Sequence, residues 1–269
     1  MCPGGDSIMK IKTIKLLLIL GFSAQLAWAD DNSIYLNQAG DNATITMLQE
    51  GAGNRIRAIQ SIGNTGNTVP SNIIGDAISV DVQQIGSGNI LNLGVNTTTA
   101  NGSSPSSVFY RVTGSNAVGT ININNAGTGI AASQALHIDQ TGNGAIATVS
   151  MLGTDNSLTV TQAGGNNNKI FAILNASQVT AIVNQTGGGG NETTLNLTGD
   201  KGYVDVTTVG ATNITSITQS GGGASGHYAK LDITGSSNNT TISQSGTIDT
   251  TVNIKSVGSG NTFNITTRN

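Results

Sequence analysis

About every eleven residues the chain returns to one short phrase: a glutamine, one residue, a glycine, then an asparagine two or three places on. Gln49-Glu50-Gly51-Ala52-Gly53-Asn54 is one copy, and Gln84-Ile85-Gly86-Ser87-Gly88-Asn89 and Gln162-Ala163-Gly164-Gly165-Asn166-Asn167 are others. A short fixed period of this kind marks an array whose units bury their apolar faces only by stacking on one another.

The residues ahead of each glycine define what is stacked. Ile45-Thr46-Met47-Leu48-Gln49, Leu136-His137-Ile138-Asp139-Gln140, Leu158-Thr159-Val160-Thr161-Gln162 and Val252-Asn253-Ile254-Lys255-Ser256 all alternate apolar and polar residues. A period of two with β-branched residues in one phase is a half-buried strand. Glycine and asparagine supply the tight-turn conformations that other residues resist. The turn glycines expected on this pattern are Gly40, Gly51, Gly86, Gly142, Gly153, Gly164, Gly187, Gly210, Gly246 and Gly258.

The fold class that follows is all-β: a β-solenoid (β-helix) of about ten two-strand coils, with roughly 22 residues per coil. The last inward position of each arm runs Gln38, Gln49, Gln60, Ile73, Gln84, Val95, Val112, Asn125, Gln140 and Met151. It continues through Gln162, Ile173, Gln185, Leu197, Thr208, Gln219, Ile233, Gln244, Ser256 and Thr267. Twenty arms stacked in pairs at ~4.8 Å would build a rod on the order of 50 Å long. Expanded turns are expected near 65–71, 96–107 and 128–134. Pro70 and Pro105 fall in the first two, where no ladder N–H is needed. An inward glutamine must find partners, and an amide above another amide can donate in one direction and accept in the other. The expected stacking residues are therefore Gln38, Gln49, Gln60, Gln84, Gln140, Gln162, Gln185, Gln219 and Gln244, with Asn54, Asn89 and Asn167 beside the turns.

Residues 1–29 stand apart from the array. Lys10, Lys12 and Lys15 precede a short apolar run from Leu16 to Phe22, and Ala27-Trp28-Ala29 is a small-x-small cleavage site, which together read as a secretory signal peptide with Met9 the better start. Residues 30–269 form the single repeat domain. The leader holds three of the 11 basic and one of the 14 acidic residues, which leaves a mature net charge of −5. Without a basic patch, neither nucleic acid nor anionic lipid is expected as a partner, and no run is apolar enough for membrane insertion. The only cysteine, Cys2, lies in the leader, so disulfides contribute nothing to the array.

Chemistry-bearing constellations are few. His137 and Asp139 would share a strand face, an arrangement that permits an acid–base pair, but their phase is outward. No phosphate-cradling loop, metal-spaced His/Cys cluster or nucleophile elbow occurs, so no enzyme, cofactor or metal is expected. Outward threonines such as Thr44, Thr46, Thr159, Thr161 and Thr266 offer another reading, a monomeric secreted solenoid that binds glycan or ice through Thr/Asn rows. For ice the rows should be unbroken, and Arg55, Arg57, Asp81, Asp139, Asp205 and Lys255 break them.

Gln49-x-Gly51-x-x-Asn54-x-Ile56-x-x-x-Gln60 closely resembles the curlin repeat, with Ile56 where alanine is usual, and degraded copies extend over roughly Ile34 to Thr267. The resemblance implies a secreted subunit of curli-type functional amyloid fibres. Such subunits leave through an outer-membrane secretion channel of a Gram-negative-type bacterium. They polymerise with themselves on the cell surface from a nucleator or minor subunit, in biofilm matrix and adhesion. On the matching positions, Gln49, Asn54, Gln60, Gln84, Asn89, Gln162 and Asn167 would carry the family's stacking role.

Overall fold

The computed structural model describes residues 32–34, 36–39, 44–58, 71–75, 78–97, 106–123, 134–151, 157–174, 178–198, 201–222 and 224–269. They form a parallel β-solenoid. The chain winds between two sheets, A and B, and every strand pair in both is parallel. The strand path through sheet A is ten levels deep, from Ser33–Ile34 to Thr262–Arg268. Sheet B runs from Thr44–Glu50 to Thr251–Val257, with several levels carried by two short strands.

Alternation places the core. In Lys169–Leu174, Glu192–Thr198 and Tyr228–Thr234 every second side chain is buried between the sheets. Leu93, Ile121, Val149, Ala172, Leu195, Ile217 and Ile242 are in register and form a continuous apolar stack on the sheet A side. Val82, Ile138, Val160, Val183, Val206, Leu231 and Ile254 face them from sheet B. Burial of such a side chain contributes roughly 1.5–3 kcal/mol, so a few residues per coil hold each level down. Aligned levels lie 22 to 25 residues apart along most of the rod.

Three expectations are corrected by the register. Ala58 pairs with Leu93, and Asn72 pairs with the next residue, Gly94. The segment between them is thus an insertion within one strand level. Gln60 and Ile73 were expected to close separate arms, yet only one level exists there, and Gln38 pairs with Ile73 rather than stacking on Gln60. Gln60 itself lies outside the described residues. The same insertion sets Gln49 opposite Gln84, 35 residues away.

Ile173 was expected inward but is 51% exposed, and Leu174 takes the buried place beside Met151 and Leu197. The preceding turn, Gly164-Gly165-Asn166-Asn167-Asn168, is one residue longer than its neighbour below, and in a strand a one-residue shift exchanges the two faces. On the fourth sheet A level the residue aligned with Val95 and Met151 is Ile123, where Asn125 was expected. Asn125, Gly40, Gly153 and the interiors of the expected turns 65–71, 96–107 and 128–134 lie outside the described residues.

Candidate assembly interface

Each coil enters sheet A through one residue at the end of its turn, and at six levels that residue is a buried asparagine: Asn54, Asn89, Asn168, Asn191, Asn213 and Asn238. Its Oδ1 accepts the backbone N–H of the equivalent residue one level on. The bonds are Asn54 to Asn89 at 3.0 Å, Asn89 to Ala117 at 2.9 Å and Asn168 to Asn191 at 3.1 Å. Asn191 to Asn213 and Asn213 to Asn238 follow at 3.0 Å each, then Asn238 to Asn261 at 2.9 Å. Below Asn54, Asn32 Oδ1 accepts the Asn54 N–H at 2.9 Å.

The amide NH2 groups donate to turn carbonyls. Asn54 Nδ2 reaches Glu50 and Gly86 oxygens at 2.8 Å, Asn191 reaches Gly210 at 2.8 Å and Asn213 reaches Gly235 at 2.7 Å. A short side chain fixed beside the turn thus joins consecutive coils through both ends of its amide. Ala117 and Ala145 interrupt the column.

The structure puts Asn168, not Asn167, in this column. Asn167 is exposed with φ 61°, displaced by the extra turn residue that also reverses the Ile173 phase. A second row runs beside the first. The N–H of Ala52 meets Ser87 Oγ, Ser87 meets Ser115 Oγ, Ser115 meets Asn143 Oδ1, and Asn143 meets Asn166 Oδ1. Sequence reading missed this row, although a small hydroxyl or amide residue after the first turn glycine was its signal.

The glutamines make fewer bonds. Gln140 Nε2 donates to Gln162 Oε1 at 3.0 Å on sheet B, and Gln219 Nε2 to Gln244 Oε1 at 2.9 Å on sheet A. Gln185 is in register with Gln162 but turns its NH2 to the Lys169 carbonyl, at 3.2 Å. Gln49 and Gln84 are in register, yet neither side chain has a hydrogen-bond partner. Val112 separates Gln84 from Gln140, and Thr208 and Ile233 follow Gln185. A glutamine ladder is therefore local, and the asparagine column is the longer one.

Glycines make the turns close enough for these bonds. Gly51, Gly86, Gly142, Gly164, Gly187, Gly210, Gly246 and Gly258 all have positive φ, as do Gly114 and Gly235, which sequence reading did not single out. At Gly86 a Cβ would lie 1.9 Å from the Gly114 carbonyl oxygen, and at Gly210 one would lie 2.0 Å from that of Gly235. The neighbouring coil occupies the space a side chain would need.

His227 and Tyr110 are also buried inside the rod. His227, in phase with Ala229 and Leu231, has Nδ1 2.8 Å from Thr250 Oγ1 and Nε2 3.2 Å from the Ser220 carbonyl. Thr250 also accepts from Gln244 Nε2 and Thr267 Oγ1, so one buried network joins three successive levels. Tyr110 is fully buried with φ 77°, and its ring fills the space left by Gly119, where a Cβ would lie 2.4 Å from the ring. Its hydroxyl has no partner, and burial pushes its pKa well above the ordinary tyrosine value.

Charge is divided between the outer faces. Sheet B carries Asp81, Arg111, Asp139, Asp205, Lys230, Asp232 and Lys255 at half-buried or exposed outward positions. Ion pairs join Arg111 to Asp81, Lys230 to Asp205 and, at 3.9 Å, Lys255 to Asp232. His137 and Asp139 are half-buried on this same face, and the His137 ring meets Phe109 edge-on at 5.5 Å. Among the described residues no three His, Cys, Asp or Glu side chains gather in a metal-holding group, and no helix is long and apolar enough to cross a membrane.

The outermost described level of the C-terminal side is uncovered. A Cβ on Gly258 would meet only Asn261 Nδ2, at 3.4 Å, and one on Gly260 would meet nothing within 4 Å. Phe263 and Ile265 are only partly buried there, whereas their counterparts one level below, Thr240 and Ile242, are fully covered. Comparison with protein-family models, with curated proteins and with solved structures found no match.

Proposed function

We propose that this chain is a structural subunit of an extracellular, curli-like amyloid fibre. It grows by adding whole solenoids end to end. One observation carries the reading: all along the rod except at Ala117 and Ala145, a coil holds the next through the same asparagine bond, in the same register, so a level accepts its own likeness. A second copy offers the same groups, and the outer level carrying Gly258, Gly260, Phe263 and Ile265 has backbone and apolar surface for it. The resemblance of Gln49 to Gln60 to the curlin repeat supports the same reading. So does the leader of residues 1–29, which would deliver the chain for export through an outer-membrane channel to a cell-surface nucleator.

The role is structural rather than catalytic. His137 and Asp139 stand on a face where charged side chains are already engaged in neighbouring ion pairs.

Purified protein should show a lag in thioflavin fluorescence that preformed fibres abolish. A chain that stays monomeric for days at high concentration refutes the proposal.

A further inference from the structure

The charged groups that break the threonine rows in sequence lie mostly on sheet B. From Ile90 to Thr266, the outward positions of sheet A carry only Lys169 and Glu192 as charged residues, and these pair with each other at 3.8 Å. The rest of the face is made of three columns. One edge column is apolar and bulky at four of its eight levels, with Ile90, Val118, Ile146 and the 46% exposed Ile214. The opposite edge column is small or polar at the same levels, with Gly94, Asn122, Ser150 and Thr218, and is bulky only at Ile173, where the first column carries Lys169. Between them runs a column of mostly hydroxyl and amide residues that includes Asn92, Thr120, Thr148, Thr194 and Thr241, with Phe171 the exception at one level.

We propose that sheet A of one copy pairs face to face with sheet A of a second copy, about a twofold axis parallel to the solenoid axis. Three features fit that occupant. A twofold in this direction exchanges the two edge columns, so Ile90 meets Gly94, Val118 meets Asn122 and Ile146 meets Ser150, bulk against small. The middle column meets itself, as identical side chains do in a dry zipper. A chain of net charge −5 repels its copies elsewhere, but from Ile90 to Thr266 this face brings no like charges together, and Arg57, in register with Asn92, belongs to the level below it.

The size is also sufficient. Eight levels at ~4.8 Å and three columns about 20 Å wide give roughly 750 Å² per copy, close to the half-share of a standard interface. The twofold also leaves both copies pointing the same way. Two filaments grown by end-to-end stacking can therefore pair along their whole length, and in that filament form the inference rests on the fibre reading.

Charge placed on the middle column tests it. The double variants Thr148→Lys with Thr241→Lys, and Thr148→Glu with Thr241→Glu, set like charges against each other across the twofold, at sites exposed in the single rod. A control pair, Thr159→Lys with Thr207→Lys, loads sheet B instead. Mass per length measured on filaments by scanning transmission electron microscopy should correspond to two chains per subunit rise for the natural protein and the control. It should fall twofold for either sheet A variant, while seeded growth rates stay within about twofold. Mixing the Lys and Glu variants should restore the paired value. Pairing that persists in both variants, or single natural filaments, overturns the proposal.

If filaments do not form at all the fibre reading fails, and pairing is then read from sedimentation of the soluble protein. A dimer that the sheet A variants split supports the face, and a monomer overturns it. Thermal hysteresis or capture on crystalline polysaccharide by a protein that never pairs would also overturn it and give the face to a surface.

Discussion

Asn213 and Gln84 are both buried amides, and the structure assigns them opposite values. Asn213 accepts from the Asn238 N–H and Nδ2, each at 3.0 Å, and donates to the Gly235 carbonyl. Asn213→Ala leaves the buried Asn238 N–H without its partner and takes one bond each from the Gly235 carbonyl and from Asn238 Nδ2, which keeps the Gly258 carbonyl. An unpaired buried group costs ~1–3 kcal/mol, so a loss of about 2 kcal/mol is expected in denaturant unfolding. Gln84 makes no side-chain hydrogen bond. Gln84→Met keeps its volume and removes the orphaned polar atoms, so it should be neutral or stabilise by ~1 kcal/mol. A reversed order of the two would place the ladder in the glutamines.

Tyr110 gives a pH test at the same scale. Burial raises its pKa above the ordinary value of 10.0, so the folded state keeps the proton that the unfolded chain releases. Its contribution is intact below pH 10 and is lost as pH rises from there, by up to ~1.4 kcal/mol per pH unit. Lys230, raised by its hydrogen bond to Asp205 and then by the carboxylate charge, acts in the same direction. Tyr110→Phe should flatten the alkaline decline and, by deleting an unpaired hydroxyl, not weaken the protein at pH 7. An unchanged alkaline limb in thermal melts would contradict this account of the site.

At the scale of strands and turns, the insertion between Ala58 and Asn72 makes a sharp prediction. Those two residues pair with consecutive residues, Leu93 and Gly94. Deleting residues 59–71 joins them within one strand and brings Gln49 and Gln84 from 35 to 22 residues apart, the spacing found between Gln140 and Gln162. The shortened chain should keep its circular dichroism spectrum and melt within a few degrees of the parent, because loop length changes closure entropy only slowly. Loss of the cooperative transition would show that this register is wrong.

Strand and turn were legible in sequence where the period of two was clean, as in Leu158-Thr159-Val160-Thr161-Gln162 and Val252-Asn253-Ile254-Lys255-Ser256. Reading failed where one residue was gained. Glutamine and column asparagine are five residues apart in Gln49 to Asn54 and Gln84 to Asn89, but six apart in Gln162 to Asn168 and Gln185 to Asn191. That added residue moved the site from Asn167 to Asn168 and turned Ile173 outward. An insertion inside a strand, as opposed to one in a turn, leaves no mark in local alternation, so Gln60 was given an arm of its own. His227 was legible only by its phase with Ala229 and Leu231. The partners that bury it, Ser220 and Thr250, come from neighbouring arms.

For the whole molecule, stability is close to one-dimensional. Each level touches the one below and the one above, and the parallel backbone ladder recurs at each step. Such an object has no intrinsic reason to stop at a fixed number of levels, which is why a fibre is proposed for it. The division of charge adds a second axis, with sheet B ion-paired and sheet A uncharged from Ile90 to Thr266 apart from the Lys169–Glu192 pair. Growth along the rod and pairing across it thus draw on different residues, and substitutions should separate them.

The most direct measurement is a cryo-electron microscopy map of filaments grown from the purified protein. The account predicts a subunit rise of roughly 48 Å, about ten levels at ~4.8 Å, with the asparagine column crossing each junction from Asn261 toward Asn32 of the next copy. Filaments in which every chain contributes a single 4.8 Å layer, or in which that column turns away from the junction, would contradict it.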